Sequence, residues 1–222
     1  MRIALLGGTG DIGQGLALRW AYDTDHEILI GSRTPEKART KAEEYETELD
    51  SRGTETTIKG FENAMAADRA DVVVLAVPPY HVSDTVEAVA DRLDDDTILV
   101  SPAVGMKGDE HGMHYHRPGA GSVTAVAAEA APEGQPVVGA FHNLAADRLA
   151  NLDIELDLDT LVVANDRDAA KTVRSLAEAI DGLRALDAGP IENAAEVESI
   201  TPLVINIAKY NDGMHDVGVR FL

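Results

Sequence analysis

The chain opens with a short apolar run, Arg2 to Leu6, that ends in Gly7-Gly8. A run of that length closed by glycines predicts a buried strand and a tight turn. Asp11 to Tyr22 reads as a helix and Glu27 to Ile30 as a second strand. Thr34-Pro35 marks the next helix start, with Thr at the N-cap and Pro at the first helical position, and that helix runs to about Leu49. A weak third strand over Thr56–Lys59 and a short helix over Glu62–Ala67 follow. The strongest strand signal is DVVVLAVPP, Asp71 to Pro79. Its β-branched run does not alternate with polar residues, which predicts burial on both faces, as in a parallel sheet. Beyond it come a helix from about Val82 to Leu93 and strands over Thr97–Pro102 and Pro136–His142. Ala103–Gly121 is expected to be one long irregular segment, of a length that is usually functional or mobile.

This alternation predicts an α/β fold, a doubly wound Rossmann-type parallel sheet with a smaller C-terminal α/β portion. In the C-terminal part DTLVVAND reads as a strand, Asp166–Ile180 as a helix and LRALDA as a strand. Ile191–Tyr210 reads as a helix whose apolar face carries Val197, Ile200, Val204, Ile207 and Ala208, a face for an interface or for the core. Pro202 is its candidate kink.

Composition narrows the function. Without cysteine the chain has no disulfide, no thiolate nucleophile and no thiolate metal site. It has no apolar run long enough to span a bilayer, and its start lacks the features of a signal peptide, so a cytoplasmic protein without a membrane partner is expected. The net charge is −20, from 39 acidic against 19 basic residues, and only 6 of the basic residues are lysine. That surface suits concentrated salt, which would screen its self-repulsion, so a halophilic source is expected, with an acidic mesophile protein as the alternative. Nucleic acid is not expected as a partner, because phosphate contacts need a basic surface.

Against that background two motifs stand out. ALLGGTGDIGQG holds G-x-G-x-x-G at Gly8, Gly10 and Gly13, directly after a strand and at the opening of a helix. In this context Gly8 permits the turn, Gly10 lets a pyrophosphate approach the backbone, and Gly13 lets the helix pack on the sheet with its N-terminus toward the phosphates. Asp11, at the positive end of that helix, either caps it or lies near the cofactor ribose. The second motif is at the tip of the second strand, where an NAD-binding protein usually places an acid. Here Ser32 and Arg33 follow Gly31, Lys37 lies in the first turn of the next helix, and Lys41 one turn on. A basic island in an acidic protein fits a ribose 2′-phosphate, hence NADP, both by attraction and by the absence of a repelling carboxylate. The other reading is a surface helix with ordinary ion pairs, such as Glu36 with Arg39.

The stretches MRIALLGGTGDIGQGLALR, GSRTPEKA, LDAGP, VESITPLVINI and the terminal GVRFL resemble the NADPH-dependent reductases of coenzyme F420, over nearly the whole chain. The resemblance implies an NADP-binding Rossmann domain at residues 1–143 and a smaller portion, 144–222, that contributes to the deazaflavin site and to a homodimer. It implies that Thr9, Gly10, Asp11 and Ile12 wrap the pyrophosphate and that Ser32, Arg33 and Lys37 hold the 2′-phosphate. It places Val77, Pro78 and His81, the segment of Phe141, His142 and Ala146, and Val217 around the nicotinamide. The implied reaction is reversible hydride transfer between NADP(H) and the deazaflavin F420 as co-substrate. That chemistry belongs to the cofactors and strictly requires no catalytic side chain and no metal from the protein.

His142, at the carboxyl end of the sixth strand, is the candidate for a polar contact to a ring; a histidine bonded to a neighbouring loop is the other reading. His111, His114 and His116 are close enough in sequence for a metal, but no carboxylate is clearly placed among them, and no metal is expected. Lys107 and Arg117 are candidates for the acidic tail of the deazaflavin. Two rival functions stay open: an NADP-binding redox sensor, and an atypical short-chain carbonyl reductase. The latter usually carries Tyr-x-x-x-Lys, and no tyrosine of this chain has lysine four residues on.

Overall fold

Successive side chains of strand β1 (Arg2–Leu6) leave it on opposite faces, as the period of a strand requires. The computed structural model, which describes residues 1–222, places Ile3 and Leu5 in one apolar core and Ala4 and Leu6 in another. A sheet buried on both faces needs helices on both. The elements run α1 (Asp11–Asp23), β2 (Glu27–Ser32), α2 (Pro35–Ser51), β3 (Ile58–Glu62), α3 (Asn63–Ala67), β4 (Val72–Leu75), α4 (Val82–Val89) and β5 (Ile98–Ser101). After them come β6 (Met106–Asp109), β7 (Gly112–Tyr115), α5 (Val123–Ala130), β8 (Val137–Gly139) and α6 (Ala146–Ala150). The chain ends with β9 (Leu158–Ala164), α7 (Arg167–Glu178), β10 (Leu183–Asp187) and α8 (Ala194–Tyr210).

Eight strands form one sheet in the order β10-β9-β8-β5-β4-β1-β2-β3. Helices α1, α2, α6 and α7 pack on the face of Ile3, and α3, α4 and α5 on the face of Ala4. All neighbours are parallel except β8 and β9. The doubly wound fold is as expected, and β9 and β10 continue its sheet in the opposite sense.

Three features differ from the sequence reading. Residues 103–121 are not irregular throughout, because β6 and β7 form an antiparallel hairpin there. The hairpin is held from outside: Asn206 of α8 accepts from the Met113 N–H at 2.8 Å and donates to its carbonyl at 2.7 Å. A strand pair fixed by a distant helix leaves no local alternation to read. Helices α5 and α6 were not anticipated; both are short, and α6 is stabilised by a remote group. The buried Arg19 of α1 donates to the carbonyls of Leu149 at 2.9 Å, Asn151 at 2.6 Å and Ile154 at 3.1 Å, placing a cation at the negative end of that helix. The long C-terminal helix begins at Ala194, after a 3-10 turn at Ile191–Asn193, and Pro202 lies inside it.

Trp20 ties α1 to the rest. Fully buried, it donates from Nε1 to Leu176 O at 2.8 Å and meets Phe141 edge-on, with ring centroids 5.5 Å apart. Trp20→Ala is expected to cost about 3–5 kcal/mol in urea unfolding, because a large cavity opens between α1 and α7. A loss under about 1 kcal/mol would contradict this packing.

Candidate functional site

Strand β1 lies between β2 and β4, and the chain winds outward from it in both directions. A crevice therefore opens at the carboxyl ends of β1 and β4, where such sheets bind ligands. Gly7 has φ +78°, and a Cβ on it would meet Ala76 O at 2.5 Å, so no side chain fits between the two strand ends. A Cβ on Gly13 would meet Gly8 Cα at 2.6 Å, which seats α1 directly on the loop. Gly10 is different. Its backbone is extended, and a Cβ would meet nothing nearer than Gly7 O at 3.5 Å. Packing does not demand glycine there, and the space above it is open to a ligand. Gly10 is also the N-cap of α1 and supplies no side-chain oxygen to its first amides, which leaves donors and the positive helix end for an anion. These residues fit a dinucleotide pyrophosphate. Asp11 is exposed in the first turn and is not the cap, and Ile12 packs against the main core. One loop anchor escaped the sequence reading: buried Tyr45 donates its hydroxyl to Gly8 O at 3.0 Å. Burial pushes its pKa up to about 12, so it stays a donor.

The crevice is a cavity of about 390 Å³, and it brings together Thr9, Gly10, Ser32, Arg33, Lys37, Val77, Pro78 and His81. Thus the glycine loop, the basic tip of β2 and the turn after β4 face one space. The ion pairs of α2 are Arg39 with Glu36 at 3.7 Å and Lys41 with Glu44 at 2.5 Å. Those pairs leave Arg33 and Lys37 without a carboxylate partner at the cleft, while Lys41 is engaged elsewhere. Asp84 is the one acid in the lining. Asn63, at the start of α3, also lines the cleft, and its buried Oδ1 has no hydrogen-bond partner. Nothing local in the sequence singled it out.

A second cavity, of about 340 Å³, lies between the segment after β8, helix α8 and the C-terminal tail. Ala146 and Val217 meet there, joined by Leu144, Val204 and Ile205, with Asn143, Thr201 and Asp216 as polar members. Its apolar lining suits a flat ring more than a phosphate.

His142 lines neither cavity and is only 3% exposed. Its Nε2 lies 3.3 Å from Thr124 Oγ1, and Thr124 donates onward to Glu198 Oε1 at 3.1 Å. Glu198, fully buried, also accepts from the Val123 and Thr124 amides and from the Tyr115 hydroxyl. Burial raises the Glu198 carboxyl, and these donors act against that rise. The sequence shows Glu198 only as one acid among 39. Before His142, Phe141 is held at φ 65°, a strained conformation for a non-glycine residue at the edge where ligands bind.

Burial lowers the His142 pKa to about 3, so the ring is neutral at physiological pH. The folded value lies below the unfolded value of about 6.5, so the unfolded chain takes the extra proton between them. The stability this group contributes is complete above that unfolded value and is lost as pH falls toward the folded one. His142→Gln is expected to flatten the decline in unfolding free energy between about pH 6.5 and 4. Equal slopes in variant and parent would contradict a buried neutral histidine.

The hairpin histidines do not converge. His114 pairs with Asp109 at 3.0 Å and His111 with Glu110 at 3.4 Å, and no three His, Asp or Glu side chains gather around one point. Arg117 donates to Gly121 O at 2.8 Å.

The profile of a family described as NADP oxidoreductase, coenzyme F420-dependent, matches residues 2–105. The F420-dependent NADP reductase of Methanocaldococcus jannaschii is 41% identical over 210 residues, 93% of this chain and 92% of that protein. The enzyme of the same name from Methanothermobacter thermautotrophicus is 39% identical over 223 residues, 99% of this chain and 94% of that protein. Among solved structures, a candidate F420-dependent NADP reductase from Arthrobacter sp. FB24 superposes with a TM-score of 0.79 at 24% identity, covering 100% of this chain and 99% of that one. That last likeness establishes the fold.

Proposed function

The chain belongs to the F420-dependent NADP reductase family, and from that premise we propose how its two cavities divide the work. It is an oxidoreductase that transfers a hydride reversibly between NADP(H) and coenzyme F420. When bound, the nicotinamide and the deazaflavin supply the hydride donor and acceptor themselves, so the protein's task is to bind, orient and exclude water. The loop of Gly8, Thr9, Gly10, Asp11, Ile12 and Gly13 holds the pyrophosphate. Ser32, Arg33 and Lys37 hold the 2′-phosphate. Val77, Pro78 and His81 border the ribose that leads toward the second cavity. Ala146 and Val217 flank the rings there, with His142 neutral behind them. In this reading residues 1–143 hold NADP and residues 144–222 complete the deazaflavin side.

The observation that carries the reading is the pair Arg33 and Lys37, free of acidic partners at the mouth of a glycine-loop cleft in a protein of charge −20. The decisive assay is anaerobic mixing of NADPH with oxidised F420. Bleaching of the deazaflavin band at a catalytic rate is expected. Tight NADP binding with an unchanged band would favour a redox sensor instead.

We also propose a cytoplasmic homodimer adapted to salt. No helix is long and apolar enough to cross a membrane. The outer face of α8 exposes Leu203 at 57% and Tyr210 at 62%, beside Ile207 and, past the helix, Met214. An apolar strip of that kind is suited to meet its own copy about a two-fold axis.

A further inference from the structure

Strand β9 is longer than its neighbour β8, which pairs with it only through Val163 and Ala164. The first residues of β9 keep β10 on one side, with Leu158, Asp159 and Thr160 opposite Leu183, Arg184 and Ala185. Their other edge would expose bare backbone, which a sheet has to cover. Here it is covered by a residue that lines the apolar cavity and by a tail residue two positions beyond another that does. The Asp159 carbonyl accepts from Asn143 Nδ2 at 2.7 Å, and the Asp159 N–H donates to Val219 O at 2.9 Å.

The side chain of Asp159 completes the arrangement. It is 0% exposed and accepts from Arg184 through Nε at 2.8 Å and Nη2 at 2.7 Å, a paired contact of fixed geometry. It also accepts from the Phe221 N–H at 2.6 Å, and Arg184 Nη2 donates to Phe221 O at 2.5 Å. The last residues of the chain are therefore gripped at Val219 and at Phe221. Two residues before the first grip lies Val217, which lines the cavity with Asn143. The segment GVRFL has no secondary structure of its own to hold it there.

We propose that Asp159, with Arg184, is the positioning residue of the deazaflavin cavity: it holds Asn143 on one wall and the C-terminal strap carrying Val217 on the other. The role acts through those residues and not through contact with a ring. It rests on the functional reading above for what enters the cavity, but not for the clamp itself. A buried aspartate inside a core strand invites misfolding when changed, so the test uses Arg184, whose side chain is 44% exposed.

In Arg184→Met, and separately in a chain lacking Phe221 and Leu222, the KM for F420 should rise about tenfold while that for NADPH stays within about twofold. Arg184→Lys, which restores the charge, should recover part of the loss. Hydrogen exchange at the amides of residues 217–221 should speed up in Arg184→Met, with exchange in β1 and β4 unchanged. Equal rises in both KM values would overturn the proposal, as would unchanged exchange in the strap. Lost protection with an unaltered F420 KM would overturn it too, since the strap would then be held but not used. If the parent chain failed to reduce F420 at all, the functional reading would fall, and the exchange measurement would still decide whether Arg184 and Asp159 hold the strap.

Discussion

Arg33→Ala combined with Lys37→Ala raises the KM for NADPH by on the order of 100-fold or more, because each lost charge-assisted contact to a phosphate is worth about 1.5–3 kcal/mol. The KM for F420 stays within about twofold, because neither residue borders the apolar cavity. NADH, without the 2′-phosphate, gains nothing from the pair, so its poor KM barely moves and the cofactor preference collapses. The size of the effect follows from the setting. In a chain with 39 acids, two cations free of ion pairs at a cleft mouth are the local source of attraction for an anion. Steady-state kinetics with both nucleotides measures it, at low salt and in molar salt, where part of the exposed attraction is screened. Equal rises in the two KM values would make the island structural.

The second large effect separates two glycines of one loop. Gly10→Val is expected to weaken NADP(H) binding more than about 100-fold while lowering stability by no more than about 1 kcal/mol. The backbone of Gly10 is extended, which any residue adopts, and its Cβ direction is open. A branched side chain there stands in the space kept for the pyrophosphate. Gly13→Ala should do the reverse first: its methyl group would press on Gly8 Cα at 2.6 Å, so the loop or the helix must shift and the fold loosens. Calorimetry of nucleotide binding beside thermal unfolding reads both. If Gly10→Val bound NADP(H) normally, the glycine loop would not be a phosphate cradle.

Much of the fold was legible, because its driving pattern is local. The unbroken apolar runs of β1 and β4, the Thr34-Pro35 helix start and the glycine loop each carry their own signal within a few residues. That Gly10, Ser32, Arg33 and Lys37 share one cleft was legible for the same reason: they lie in two short stretches, at the ends of β1 and β2. What stayed hidden depends on partners far along the chain. Hairpin β6–β7 is pinned by Asn206, about ninety residues away. Helix α6 is finished by Arg19, and the loop after β1 is fastened by Tyr45. Asp159 and Glu198 looked like two more surface acids in an acidic chain, yet both are buried and hydrogen-bonded on several sides. Composition counts charges but does not say which of them fold inward. The strand-end position of His142 is visible in the sequence, but its burial against Thr124, outside the lining of both cavities, is not.

The most direct test of cofactor choice is one comparison: kcat/KM for F420 reduction with NADPH and with NADH, measured side by side on the unmodified protein in the same buffer. A preference for NADPH of about 100-fold or more is the predicted result, from a cleft in which neither Arg33 nor Lys37 is tied up in an ion pair. Parity between the two nucleotides, or no reduction of F420 by either, would contradict it.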